Sequence, residues 1–167
     1  LPVTDFVEST IKELADLCEG VRLTRELTPR TLDRILSFGE IVATKIVSAK
    51  MTEYGIDNEW KDSRLLIRTN SNHGSAAVDF RETNKRIGEY FAGSTSNIHI
   101  LPGFVAFDAG GHTTTLGRGG SDYTAAIVAA ATDAEVLEIW TDVNGMMSAD
   151  PRLVRNVRQI SHITYRE

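Results

Sequence analysis

Segments with helical periodicity alternate with short apolar runs along this chain of 167 residues. The longest helical segment starts after Thr28-Pro29, a helix cap followed by proline at the first helical position, and ends near Gly55. The last apolar run, residues 136–140, is apolar enough to be a strand buried on both faces. This alternation is typical of proteins whose helices cover a mainly parallel sheet, so the sequence predicts an α/β fold.

The same spacing rules predict the remaining elements. Further helices are expected over residues 3–20, 80–91 and 122–131, and short strands over 65–67, 98–101 and 104–107. Asp79 and Glu82 form an acidic capping box, and Phe80 and Ile87 are expected to point inward from the helix that follows. The polar, glycine-rich stretch 108–120 is predicted to be neither helix nor strand.

Composition and charge exclude several classes of protein for this chain. With 41% hydrophobic and 25% charged residues, the sequence is that of a globular chain rather than a disordered one. The net charge of −5 argues against a nucleic-acid-binding surface, and no run of about 18 apolar residues is present to span a membrane. Because Cys18 is the single cysteine, no internal disulfide is expected, and a cytoplasmic location is favoured. Cys18 itself is predicted to lie in the core.

The segment 117–122, Gly-Arg-Gly-Gly-Ser-Asp, is the strongest candidate for a binding site. Its glycines precede a predicted helix, where a close backbone and free N–H groups favour an anion. Arg118 adds a planar guanidinium suited to a carboxylate or phosphate, and Ser121 and Asp122 place oxygens at the helix start. The alternative is a tightly packed strand-to-helix turn with Ser121 as its cap. The segment matches neither the dinucleotide fingerprint nor the P-loop.

A second candidate lies where the predicted strand 136–140 ends. Thr141 and Asp142 run into an Asn-Gly turn, and ligands of open α/β sheets bind at the carboxyl ends of strands. The alternative is an ordinary turn that Asp142 caps, with Arg152 solvated.

A third candidate is Gly39-Glu40 within the long predicted helix. Glycine there costs about 1 kcal/mol relative to alanine, which predicts a close neighbour at Gly39. The favoured interpretation of that neighbour is a second helix, with Glu40 facing water. The four histidines show no zinc-ligand spacing, so no metal site is predicted.

Three segments together resemble a known family. Residues 37–40 (Ser-Phe-Gly-Glu), 113–123 and 140–152 stand in an order and at separations that look like those of aspartokinases, within the amino acid kinase family. The segment 117–122 is the most specific, since the related acetylglutamate and uridylate kinases carry different residues at this turn. The resemblance covers nearly the whole chain. It implies a three-layer αβα fold with a mainly parallel central sheet, incomplete at both ends.

The resemblance also implies an activity. Aspartokinases transfer the γ-phosphoryl group of ATP to the side-chain carboxylate of L-aspartate, giving 4-phospho-L-aspartate, the first step towards lysine, threonine and methionine. The implied cofactor is ATP with Mg²⁺, the metal being held mainly by the nucleotide phosphates. The parent enzyme is expected to be a homo-oligomer.

The implied site residues divide into two sets. Glu40, Arg118, Ser121 and Asp122 resemble the aspartate-binding set; Arg118 holds the substrate carboxylate and Asp122 orients the catalytic lysine. The residues that resemble the nucleotide-binding set are Gly119, Gly120, Thr141, Asp142, Met147 and Arg152.

Three departures from the family pattern shape the expectation. Met147 stands where many members have tyrosine, and the family's N-terminal lysine and glycine segment has no counterpart within residues 1–167. The family's downstream lysine-containing nucleotide segment and C-terminal regulatory domains have none there either. The chain is therefore expected to be a single partial domain, the central part of a catalytic domain, and inactive alone. The alternatives are a non-catalytic structural fragment and an amino acid kinase with a different acid substrate.

Overall fold

The computed structural model describes residues 3–141, 145–164 and 166 and divides into two compact units, Leu1–Leu137 and Glu138–Glu167. The helices of the first unit are α1 (Val3–Thr24), α2 (Pro29–Glu53), α3 (Phe80–Gly93) and α4 (Gly120–Ala131). Its strands are β1 (Glu59–Trp60), β2 (Arg68–Thr69), β3 (His99–Ile100), β4 (Val105–Asp108) and β5 (Thr113–Thr115). No helix in the described ranges combines the length and apolar character needed to cross a membrane.

The strands form two small sheets with helices on both sides. β1 pairs parallel with β3, and Glu59 lies opposite His99. In the other sheet, β4 pairs parallel with β2 and antiparallel with β5. α2 lies against β1, β3 and β5, whereas α3 contacts β2 and packs on α4. This arrangement confirms the predicted α/β fold with parallel strand pairs.

The main core lies between the strands and the α3–α4 pair. Ile87 of α3 and Ile127 of α4 are buried, as the helical spacing predicts for Ile87. The prediction for Phe80 is wrong, because the first residue of α3 leaves its ring half exposed. The buried apolar cluster consists of Leu66, Ile67, Ile87, Ala106, Leu116 and Ile127.

The predicted caps of α2 and α3 form, the second only in part. The Thr28 hydroxyl accepts a hydrogen bond from the Thr31 backbone N–H at 3.1 Å. The Asp79 carboxylate accepts from the Glu82 N–H at 3.1 Å, but the Glu82 carboxylate accepts from Arg86 instead of returning to Asp79. The capping box is therefore half formed.

Helix α1 is longer and more exposed than its sequence indicates. It continues past Gly20 to Thr24, and none of its residues is buried, since it packs along α2 through one side only. Cys18 is exposed, so its predicted place in the core is wrong.

Two predicted strands are wrong. Residues Ser63–Leu65 form a short 3-10 helix capped by the Asp62 carboxylate, and the strand starts only at Arg68. Residues 136–140 are exposed and form no strand, and Trp140 is 89% exposed. A buried strand needs strands beside it, and none within the described ranges pairs with this segment.

One strand lies in the stretch that the sequence leaves unassigned. β5 consists of three buried threonines, whose branched side chains suit a strand. The Thr114 and Thr69 hydroxyls are 2.7 Å apart, and the Thr115 hydroxyl donates to Asp33 at 2.6 Å. Because these hydroxyls are hydrogen-bonded, a polar strand is tolerated inside the protein.

The Asp108 carboxylate holds the β4–β5 hairpin together. It is 1% exposed and accepts hydrogen bonds at 2.8 Å from the His112 backbone N–H and from the Ser71 hydroxyl. Burial by itself raises the pKa of this carboxyl. The hydrogen bonds from the His112 backbone, Ser71 and the His112 ring outweigh burial, and the pKa falls to about 2.

Asp108→Asn is expected to destabilise the protein at pH 7 and to matter less in acid. The folded-state pKa lies below the unfolded value of about 3.9, so the stabilisation is complete above about pH 4 and is lost as the pH falls towards 2. We expect a loss of about 1–2 kcal/mol in the free energy of unfolding at pH 7 and a smaller loss at pH 3, measured by urea denaturation. Asp57→Asn, on an exposed loop, is the control. Equal losses for Asp108→Asn at both pH values would contradict this assignment.

Candidate functional site

The glycine-rich segment 117–122 forms the turn between β5 and α4. Gly117 and Gly119 have φ angles of +76° and +71°, a region that other residues seldom adopt. Gly119 is the N-cap of α4 and has no side chain to cap the helix. Ser121 lies in the first helical turn, so the alternative in which Ser121 is the cap is wrong. Among the described residues, the backbone N–H groups of Ser121 and Asp122 have no acceptor.

The start of α4 packs closely against the loop that leads into β4. A Cβ atom on Gly103 would lie 2.8 Å from both Cα and Cβ of Ser121. One on Gly120 would lie 2.8 Å from the Phe104 ring and 3.1 Å from Phe104 Cα. The Phe104 backbone N–H donates to the Thr124 hydroxyl at 3.0 Å. Both glycines are thus required by close packing, which fixes the position of the helix start.

The charged residues of the turn face solvent. Arg118, Ser121 and Asp122 are exposed. In the part of the chain that the structure describes, the Arg118 guanidinium forms no ion pair or hydrogen bond. Arg118 therefore remains available to an anionic ligand.

A cavity of about 560 Å³ lies in the first unit between α2, β3 and α4. Glu40, which is half buried, and Ser121 both line it, although 81 positions separate them in the sequence. Gly39, which precedes Glu40, is exposed, and a Cβ added there would meet nothing within 4 Å, so the predicted close neighbour is wrong. Arg118 and Asp122 do not line this cavity.

His99 contributes to the cavity wall and was not predicted as a site residue. The Tyr90 hydroxyl lies 2.8 Å from His99 Nδ1, and His99 Nε2 lies 3.0 Å from the Ser96 carbonyl oxygen. A carbonyl only accepts, so His99 Nε2 donates to Ser96. Burial, followed by the hydrogen bond to Glu59, raises the pKa of Tyr90. Both ring nitrogens are occupied, so His99 offers the cavity carbon atoms rather than a ligand nitrogen.

Asp33 lies beneath the turn and was missed as a functional candidate. Its carboxylate is 1% exposed and accepts from the Thr115 hydroxyl at 2.6 Å and the Gly74 backbone N–H at 3.0 Å. His73 Nδ1 lies 2.8 Å from the same carboxylate. The only sequence signal is its position on the buried face of α2, four residues before Ser37.

The predicted nucleotide-binding residues Thr141, Met147 and Arg152 belong to the second unit. Thr141 is exposed, and Met147 is half buried in an antiparallel bridge with Gln159. The Arg152 guanidinium donates to the Asp150 carboxylate at 3.0 Å, and these hydrogen bonds lower the pKa of Asp150. Asp142 lies outside the described residues.

No group of three or more His, Cys, Asp or Glu side chains in the described ranges is placed to hold a metal ion.

A sequence model of the amino acid kinase family matches residues 5–167. The chain belongs to the amino acid kinase family. It is 32% identical over 166 residues to lysine-sensitive aspartokinase 3 of Escherichia coli strain K12, covering 99% of this chain and 36% of that protein. It is 35% identical over 170 residues to the aspartokinase of Rickettsia prowazekii, covering 99% and 37%. This family member thus spans little more than a third of the length of these relatives.

Solved structures show the same relationship. The crystal structure of E. coli aspartokinase III in complex with aspartate and ADP (R-state) matches with a TM-score of 0.87 and 32% identity, over 95% of this chain and 35% of that chain. The complex of the same enzyme with lysine and aspartate (T-state) gives 0.85 and 33%, with the same coverage. The amino acid kinase fold and the resemblance to aspartokinases are thereby confirmed.

Gly103→Ala is expected to destabilise this amino acid kinase by about 1–3 kcal/mol, because the new methyl group overlaps the α4 backbone at Ser121. Gly88→Ala is the matched control: it lies on an exposed position of α3 with nothing within 4 Å, and we expect a gain of about 0.5–1 kcal/mol. Chemical denaturation measures both. A Gly103→Ala protein as stable as the original would contradict the close packing described above.

Proposed function

We propose that this chain is the part of an aspartate kinase that binds the amino acid substrate and contributes residues to the ATP site. The observation that carries the proposal is the cavity shared by Glu40 and Ser121, which begins at the same helix end as the exposed Arg118. The similarity to aspartokinases over nearly the whole chain supports it. The proposed reaction transfers the γ-phosphoryl group of ATP to the side-chain carboxylate of L-aspartate.

The charges around the turn complement the substrate. L-aspartate carries one ammonium group and two carboxylates. Glu40 offers a carboxylate to the ammonium group, while Arg118, Ser121 and the N–H groups at the start of α4 offer donors to a carboxylate. The cavity volume of about 560 Å³ lies in the range of small-molecule sites.

Asp122 and the second unit supply the remaining proposed roles. We assign to Asp122 the role of orienting a catalytic lysine. The residues that we propose to contact the nucleotide are Gly119, Gly120, Thr141, Asp142, Met147 and Arg152. To bind a phosphate, the Arg152 guanidinium must then release its hydrogen bond to the Asp150 carboxylate. Mg²⁺ bound to the phosphates would neutralise charge on the transferred group. The longer protein is proposed to be a homo-oligomer.

Arg118→Ala is expected to weaken L-aspartate binding strongly. Loss of a charge-assisted bidentate contact costs about 2–4 kcal/mol, so the dissociation constant should rise by a factor of about 30 or more. Arg81→Ala, an exposed arginine at the start of α3, is the matched control and should leave it unchanged. NMR titration of the labelled chain gives the affinities.

The same titration with L-glutamate tests for a different acid substrate. Tighter binding of L-glutamate than of L-aspartate would replace aspartate in the proposal. An Arg118→Ala protein that binds L-aspartate as well as the original would refute the role of Arg118.

This chain alone is expected to show no aspartate kinase turnover. Its five lysines all precede the turn; Lys45 and Lys61 lie over aromatic rings, and Lys12, Lys50 and Lys85 lie within 4.0 Å of carboxylates. Without a lysine at the turn, the charge that builds on the transferred phosphoryl group is poorly stabilised. A coupled ADP-release assay with Mg-ATP and L-aspartate tests this. Turnover of about 1–100 per second would contradict it.

A further inference from the structure

We propose that Asp33 is a positioning residue that fixes the 117–122 turn relative to Glu40. The inference deepens the proposed function and rests on it, because it concerns the same substrate site. Asp33 is buried beneath the turn and does not line the cavity, so it acts through the residues it holds.

The first step is the rigid link between the two carboxylates on α2. Asp33 and Glu40 are seven residues apart, two helical turns, and therefore lie on the same side of the helix. Asp33 is hydrogen-bonded into the interior, whereas Glu40 lines the cavity. A displacement of α2 at Asp33 would therefore move Glu40 as well.

The second step is the contact of Asp33 with the strand that leads into the turn. The Thr115 hydroxyl donates to Asp33 at 2.6 Å, and Thr115 is the last residue of β5, two positions before Gly117. Both side chains are buried, so loss of this hydrogen bond would leave a buried polar atom without its partner. The hydrogen bond fixes the position at which the chain leaves the sheet.

The third step is the loop that supports the turn from below. The Gly74 N–H donates to both Asp33 oxygens at 3.0 Å, and His73 Nδ1 contacts the same carboxylate. A Cβ added to Gly117 would lie 3.2 Å from the Gly74 carbonyl oxygen and 3.3 Å from the Ser75 hydroxyl, so this loop lies directly under Gly117. Asp33 thus holds both the strand before the turn and the loop beneath it.

The consequence for binding follows from geometry. The donors of the turn and the Glu40 carboxylate must both reach one small ligand, and displacements of about 1 Å are costly in such sites. Loss of the Asp33 hydrogen bonds should therefore weaken binding without removing any group that touches the ligand.

The test uses the isotope-labelled chain and L-aspartate as the probe. We expect Thr115→Val and Asp33→Asn each to weaken L-aspartate binding by about tenfold, and Asp33→Ala to weaken it further because asparagine keeps one acceptor. The double variant Asp33→Ala/Thr115→Val should bind no more weakly than Asp33→Ala, since the alanine already removes the contact with Thr115. Asp16→Asn, on an exposed part of α1, is the control and should have no effect.

A purely structural role makes a different prediction. Thr115→Val and Asp33→Asn would then lower the melting temperature but bind L-aspartate normally at temperatures where circular dichroism shows them folded. That result would overturn the inference. If the Asp33 variants do not fold, Thr115→Val decides the question by itself.

A second readout separates the inference from the proposed function. The Gly120 N–H donates to Gly117 and the Tyr123 N–H to Gly119, each at 3.0 Å. Hydrogen exchange at these two amides should be about tenfold faster in Asp33→Asn and Thr115→Val. Failure of the original chain to bind L-aspartate would refute the proposed function, and unchanged exchange would refute the positioning role.

Discussion

The buried threonine strand β5 is the part of the first unit on which the other elements depend. It pairs with β4 on one edge and lies against α2, and its last residue leads directly into the glycine-rich turn. A strand of this polarity is stable inside only if every hydroxyl has a partner. Thr69, Arg64 and Asp33 provide those partners. The hydrogen bonds that make the strand possible therefore also connect α2, the β2 strand and the turn.

Local sequence rules predicted what depends on local chemistry. The caps of α2 at Thr28 and of α3 at Asp79 follow from side chains within a few residues of each helix. The predicted strand at 136–140 failed because its burial depends on neighbouring strands that no local rule can provide. β5 was missed because three consecutive polar residues are typical of a loop, and the partners that allow its threonines to be buried are distant in the sequence.

The candidate site shows the same division. Its glycines and Arg118 were recognisable because the backbone of an anion-binding turn requires particular residues at neighbouring positions. The shared cavity of Glu40 and Ser121 was expected only through the resemblance to aspartokinases, not through spacing. Asp33 was missed because its partners His73 and Thr115 lie 40 or more positions away in the sequence. His99 was missed because its contact with Tyr90 forms only when α3 and β3 come together in the folded chain. Which polar residues act from beneath a site is decided by tertiary hydrogen bonds.

The N-cap of α4 at Gly119 has a thermodynamic consequence. Helices usually begin with a side chain that accepts from the first N–H groups, a contact worth about 1 kcal/mol, and this helix begins without one. An anion bound there completes the helix by supplying the missing acceptor. The free energy of capping the helix is then gained when the anion binds, whereas in other helices it is gained when the chain folds. Occupancy of the turn and fraying of the first helical turn therefore measure the same equilibrium.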